Sequence, residues 1–140
     1  MLIILISCAA EKSDVATEAR NMYISSLFKG AYQYARNMNP DKIFILSAKH
    51  ELLEETKVIE PYNKTLNKMP SAEIKSWANA VITKLAEKTD LENDKFIILA
   101  GEKYRKYIVG SIHNYEVPLK GKSIGKQLAF YKEANNVRDL

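Results

Sequence analysis

The sequence predicts an α/β domain, a three-layer sandwich around a short, mainly parallel sheet of four strands. Three observations carry that expectation. The runs at residues 2–6, 43–46 and 96–100 are rich in Ile, Leu and Phe and too short to be helices of their own, as strands buried on both faces are. Segments of helical period separate these runs. Each run also ends abruptly in polar residues, which fits parallel strands that deliver a site at their carboxyl ends.

The elements follow in order. Leu2-Ile3-Ile4-Leu5-Ile6 reads as the first strand, near residues 2–7, and runs into Ser7-Cys8-Ala9-Ala10-Glu11-Lys12. Asp14 can cap a helix in which Ala19, Met22, Tyr23, Leu27, Ala31, Tyr34, Ala35 and Met38 recur at helical spacing. Asn39-Pro40-Asp41 stops it, and residues 42–47 form the second strand, ending in Ser47-Ala48-Lys49-His50-Glu51. Residues 50–70 read as a long loop with an extended stretch at Val58-Ile59, ended by a turn because Pro61 biases Glu60 away from helix. Pro70-Ser71-Ala72-Glu73 marks the start of a helix reaching about Lys88. The third strand, 95–100, turns at Gly101 into a short helix over 102–108. A fourth strand at 115–119 is an edge, since Pro118 removes a ladder donor, and a last helix covers about 124–135. Such alternation implies a doubly wound domain with right-handed crossovers.

A chain of 140 residues is expected to form one domain, 1–140. No apolar run approaches the ~20 residues of a membrane helix, so no membrane partner is expected. Leu5-Ile6-Ser7-Cys8 superficially resembles a lipoprotein cleavage site, but no positive charge precedes it and the apolar stretch is shorter than the ~7 residues export requires. The single cysteine excludes an internal disulfide framework, and a cytoplasmic location is expected. A net charge of +4 suits a polyanionic partner, with Lys103, Arg105, Lys106, Lys120, Lys122, Lys126 and Lys132 concentrated in the last third.

Candidate chemistry sits at the strand ends. Cys8 is either a core thiol or the ligand-facing residue of a turn where Lys12 would favour an anion. Ser47, Lys49, His50 and Glu51 are either a solvated loop or site residues, His50 being the acid or base suited to neutral pH. Glu60-Pro61-Tyr62-Asn63 is either a proline turn or a clamp with Tyr62 stacked on a ring and Glu60 or Asn63 on its polar edge. Gly101 could offer backbone donors to an anion, with Tyr104 and Arg105 adding a ring and a bidentate cation. Lys120-Gly121-Lys122-Ser123-Ile124-Gly125-Lys126 is not a phosphate loop, because Gly121 stands too close to Lys126. One cysteine with His50 and His113 cannot build a zinc site, and no cofactor or metal is expected.

Five blocks together resemble a small bacterial, archaeal and phage family of unknown function. They are Ser7-Cys8 through Lys12, Tyr23-Ile24-Ser25-Ser26-Leu27-Phe28, Leu46-Ser47-Ala48-Lys49-His50, Glu60-Pro61-Tyr62-Asn63-Lys64-Thr65-Leu66, and Pro118 through Gln127. More distantly, the first four resemble the uracil-DNA-glycosylase-like domain of archaeosine synthase. The opening Met1 to Ser7 is similar to the peroxide-stress (YaaA) family. These resemblances imply a uracil-DNA-glycosylase-like fold and a site that handles a nucleobase within nucleic acid. The sequence departs from the pattern at Asn63, where aspartate is expected, and at Glu51, where glycine is expected.

The expected activity is that of a nucleobase-directed enzyme cleaving or exchanging an N-glycosidic bond in DNA or RNA. His50, Glu51, Glu60 and Asn63 are the candidate catalytic residues. Ser7, Cys8, Lys12, Tyr23, Ser25, Ser47, Lys49, Tyr62, Gly101, Tyr104, Arg105 and Gln127 are candidates for substrate binding, with Lys12 and Arg105 on phosphate. The alternatives are a binding module without turnover and an enzyme of free nucleosides or nucleotides. The shared expectation is that Lys12, His50 and Tyr62 meet in one place.

Overall fold

The computed structural model describes residues 1–139, with side chains through Asn136. Strand β1 (Leu2–Ser7) is covered on both faces, since Ile3 to Ile6 are at most 1 % exposed. After it come β2 (Thr17–Glu18), the one-turn helix α1 (Ala19–Met22), α2 (Ser26–Asn37), β3 (Lys42–Ser47), β4 (Glu51–Glu54) and β5 (Val58–Ile59). Helix α3 (Ser71–Lys88), β6 (Lys95–Leu99), the short α4 (Glu102–Arg105), β7 (Tyr115–Glu116) and α5 (Ile124–Asp139) complete the order.

The main sheet has five strands in the order β4-β3-β1-β6-β7, and β3, β1, β6 and β7 run parallel. β4 pairs antiparallel with β3 at one edge, and β2 with β5 makes a separate two-stranded ribbon. Alternation divides the strand side chains between two cores. Ile3, Leu5, Phe44, Leu46, Phe96 and Ile98 pack with Ile74, Trp77, Val81 and Leu85 of α3. Ile4, Ile6, Ile43, Ile45, Ile97 and Leu99 pack with Phe28, Ala31 and Ala35 of α2 and Tyr131 of α5. Helices therefore cover both faces. The chain leaves β1 for the α2 face and β3 for the α3 face, which opens a crevice beyond the carboxyl ends of the central strands. No helix among the described residues is long and apolar enough to cross a membrane.

Several expectations are corrected. The sheet has a fifth strand, β4, inside the segment expected to be loop, because Leu52 and Leu53 find a partner in β3 that their charged neighbours conceal. No single helix runs from Asp14 to Met38. Thr17 and Glu18 pair with Val58 and Ile59, and the Ala19 and Arg20 amides donate to the Lys57 and Glu55 carbonyls, so tertiary pairing displaces the first turns. Helix α2 starts only after Ser25, whose Oγ accepts from the Phe28 amide. The chain turns out of it at Asn39, two residues past its end and held at φ 51°, just before Pro40. The expected strand 115–119 shortens to two residues before Pro118, and the expected helix 102–108 to four. Helix α3 begins at Ser71 with Pro70, which makes no side-chain hydrogen bond, in the cap position.

Candidate functional site

Cys8 stands where β1 ends, its amide donating to the Leu46 carbonyl of β3 at 3.0 Å, so the ends of β1 and β3 are locked side by side. On the β3 side, Ser47 organises the first of two clusters. Its Oγ accepts from the amides of Lys49 (3.3 Å) and His50 (3.0 Å), closing the turn after the strand. With both lone pairs engaged, its hydrogen is left for Tyr62 Oη at 2.9 Å, and Tyr62 in turn donates to Tyr23 Oη at 2.6 Å. Trp77 fixes Ser47 from the other face, its Nε1 donating to the Ser47 carbonyl at 2.8 Å.

Lys12, His50 and Tyr62 do meet. Lys12 Nζ lies 4.5 Å from the centre of the Tyr62 ring, and the His50 ring meets Tyr62 edge-on at 5.5 Å. Lys12 thus stands on a face of Tyr62 that a stacked base would need. His50 Nε2 is buried without a hydrogen-bond partner among the described residues. Burial first, then the Lys49, Lys57 and Lys84 charges, hold its pKa below the ordinary value, so the imidazole is neutral at pH 7.

The second cluster is a cleft of about 600 Å³ on the other side of Cys8, at the carboxyl ends of β1 and β6. Ser7 and Cys8 form its back. Leu27, Phe28 and Ala31 of α2 and Tyr131 of α5, with Leu119, give an apolar side. Gly101, Glu102, Lys103, Tyr104 and Arg105 form another wall, and Gly121, Lys122 and Gln127 close the third. Arg105 Nη1 donates to the Ala100 carbonyl at 2.9 Å, which anchors the guanidinium at the rim and leaves its other N–H groups for a ligand. Gln127 donates to the Lys122 carbonyl, tying the start of α5 to the preceding turn.

Cys8 joins the two clusters. Its thiol donates to Tyr104 Oη at 3.4 Å, and Tyr104 also accepts weakly from the Leu66 amide at 3.5 Å. Burial pushes the Tyr23 hydroxyl up to about 12 against the lowering effect of Tyr62. Burial raises Tyr62 and Tyr104 as well, with Cys8 the next cause for each. All three phenols stay protonated at neutral pH, so none serves as a base, and Tyr104, which accepts from Cys8 and the Leu66 amide, keeps its O–H to donate.

The remaining candidates lie elsewhere. Glu51 pairs with Lys84 of α3 at 2.8 Å, on the face of the sheet opposite Tyr23. Glu60 and Asn63 are exposed and do not line the cleft. Tyr23, 1 % exposed, reaches the site only through Tyr62, and Ser25 is spent on capping α2. Lys49 is exposed at the turn, held by its amide. Glu102, Lys122 and the apolar side of the cleft were not anticipated. One signal for them was Gly30, an isolated glycine within the predicted helix that marks a close helix–helix approach.

Glu51 also explains its own departure from the resembled pattern. It sits at φ 63°, a left-handed position favouring glycine, at the end of a three-residue hairpin turn. Relief of roughly 1–2 kcal/mol of αL strain on Glu51→Gly offsets the gain in chain entropy and the loss of a half-exposed ion pair. Urea unfolding is expected to find Glu51→Gly within about 1 kcal/mol of the parent and Glu51→Val destabilised by about 2 kcal/mol. Equal stability of the two variants would contradict a strained position 51.

No curated protein matches the chain. Residues 3–133 match the model of a family of unknown function, DUF6884, a span that holds both clusters, from Ser7 to Tyr131. The chain belongs to this family of unknown function.

Proposed function

We propose that the protein is a nucleobase-directed enzyme acting on nucleic acid, cleaving or exchanging an N-glycosidic bond. The observation that carries the reading is the make-up of the cleft: an apolar side beside a rim with Lys103, Arg105 and Lys122 against the single carboxylate Glu102. Its volume of about 600 Å³ has room for one nucleotide. The base lies against Leu27, Phe28 and Leu119, and the phosphate meets the free edge of Arg105. Cleavage breaks the bond between sugar carbon and base nitrogen, and is completed when water adds to the sugar carbon and its proton goes to the base. It builds positive charge on the sugar and negative charge on the departing base. Glu102 takes the first role, in place of Glu51 and Glu60, and the protonated Tyr104 hydroxyl the second. The resemblance to the uracil-DNA-glycosylase-like domain of archaeosine synthase and to the peroxide-stress (YaaA) family supports the same reading.

A binding module without turnover is the second reading, favoured by Asn63 and by Glu51 being tied to Lys84. Mass spectrometry of bases released from a panel of modified and unmodified DNA and RNA separates the two. The parent protein is expected to release a base from at least one member. Glu102→Gln is expected to slow release about 100-fold with binding retained, and Arg105→Ala to weaken binding about tenfold. Binding with no release from any member of the panel establishes the second reading.

A further inference from the structure

The cations of the cleft extend beyond its lining. Lys106 follows Arg105, Lys120 lies between the lining residues Leu119 and Gly121, and Lys126 precedes Gln127. With Lys103, Arg105 and Lys122 of the lining they make six cations in two segments, 103–106 and 120–126, that border the cleft, and all but Arg105 are exposed. None of the six forms an ion pair among the described residues. Gly121, at φ +80°, folds Lys120 and Lys122 into one tight turn at the cleft's edge. One carboxylate, Glu102, stands on the lining.

We propose that this rim is a track for the phosphodiester backbone of a single-stranded nucleic acid, from which one nucleotide enters the cleft. The proposal rests on the reading of the cleft given above and names its polymer. A free nucleotide needs two or three cations converging on one phosphate group. Six cations spread over two segments bordering the cleft and left exposed match charges spaced along a strand. A single strand suits a concave site better than a duplex, whose bases are stacked and paired and must be extruded at a cost before any can enter.

Fluorescence anisotropy with labelled oligo(dT) and oligo(rU) of about 20 units tests it, with the matching duplex and mononucleotides as competitors. At least one strand is expected to bind, with affinity falling more than tenfold between about 50 and 200 mM salt. The variant Lys120→Glu/Lys122→Glu/Lys126→Glu is expected to lose at least tenfold in affinity and to flatten the log–log salt slope by about 2. Lys103→Glu/Lys106→Glu in the other segment should act in the same direction, with circular dichroism confirming that each variant is folded. Salt-insensitive binding, preference for duplex, or unchanged affinity in both folded variants overturns the track. If bases are released from duplex while no single strand binds, the track fails and the cleft reading survives; if mononucleotides bind while neither strand nor duplex does, both fail in favour of an enzyme of free nucleotides. If strands bind as described but no base is released and Glu102→Gln changes nothing, the track stands and the cleft reading fails.

Discussion

Trp77→Ala is expected to lower the unfolding free energy by about 3–5 kcal/mol and the melting temperature by on the order of 10 °C. Trp77 is 6 % exposed and braces three elements at once. From α3 it packs under the sheet, donates to the Ser47 carbonyl at 2.8 Å, and meets the Tyr104 ring edge-on at 5.6 Å. Truncation leaves a large void and an unpaired buried carbonyl, two costs that add. Trp77→Phe keeps most of the packing and loses the hydrogen bond, so about 1–2 kcal/mol is expected there. Urea titrations of the three proteins measure both steps. A loss below about 1 kcal/mol for the alanine variant would falsify the bracing role. Ser47 and Tyr104 belong to the two clusters either side of Cys8, so Trp77→Ala should also weaken ligand binding, although Trp77 itself is not part of the cleft's lining.

Gly30→Val is expected to cost about 3 kcal/mol. A Cβ at this position would stand 2.9 Å from Tyr131 Cβ and 3.2 and 3.3 Å from two atoms of its ring. These are the fixed end of the neighbouring side chain and cannot swing away. Relief requires α5 to move off α2, which breaks the hydrogen bond from Asn135 to the Gly30 carbonyl. Substitution of glycine within a helix ordinarily gains about 1 kcal/mol from propensity, so even Gly30→Ala tests the argument by the sign of its effect. The two helices are also the apolar side of the cleft, through Leu27, Phe28, Ala31 and Tyr131. Loss of ligand affinity should therefore track loss of stability. A Gly30→Ala protein more stable than the parent would show that the contact relaxes at no cost.

What could be read without coordinates was local. Ile3 to Ile6, Ile43 to Leu46 and Phe96 to Leu99 are apolar without interruption, and only strands covered on both sides use such runs, so β1, β3 and β6 were legible. Ile74, Trp77, Ala78, Val81 and Leu85 recur at helical spacing and gave α3 with its buried face. β4 was not legible, because Glu51-Leu52-Leu53-Glu54 has no strand pattern of its own and is extended only by pairing with β3. The helix expected from Asp14 failed for a related reason. Thr17 and Glu18 were claimed by residues about 40 positions away, and no window of sequence contains that competition.

For the site, polar residues following buried strands were enough to bring Ser47, His50 and Lys12 into one neighbourhood, since parallel strands must end on a common edge, whereas Tyr62 was singled out only by its proline turn. Only the tertiary structure decided which of them lie open to a ligand. It turned Glu51 away to Lys84, put Lys12 over the Tyr62 ring, and placed the roomy cleft on the far side of Cys8. The cause is physical: strand identity is fixed by side chains a few residues apart, whereas the cleft is the space left between α2, α4 and α5, whose spacing is set by long-range packing such as Gly30 on Tyr131.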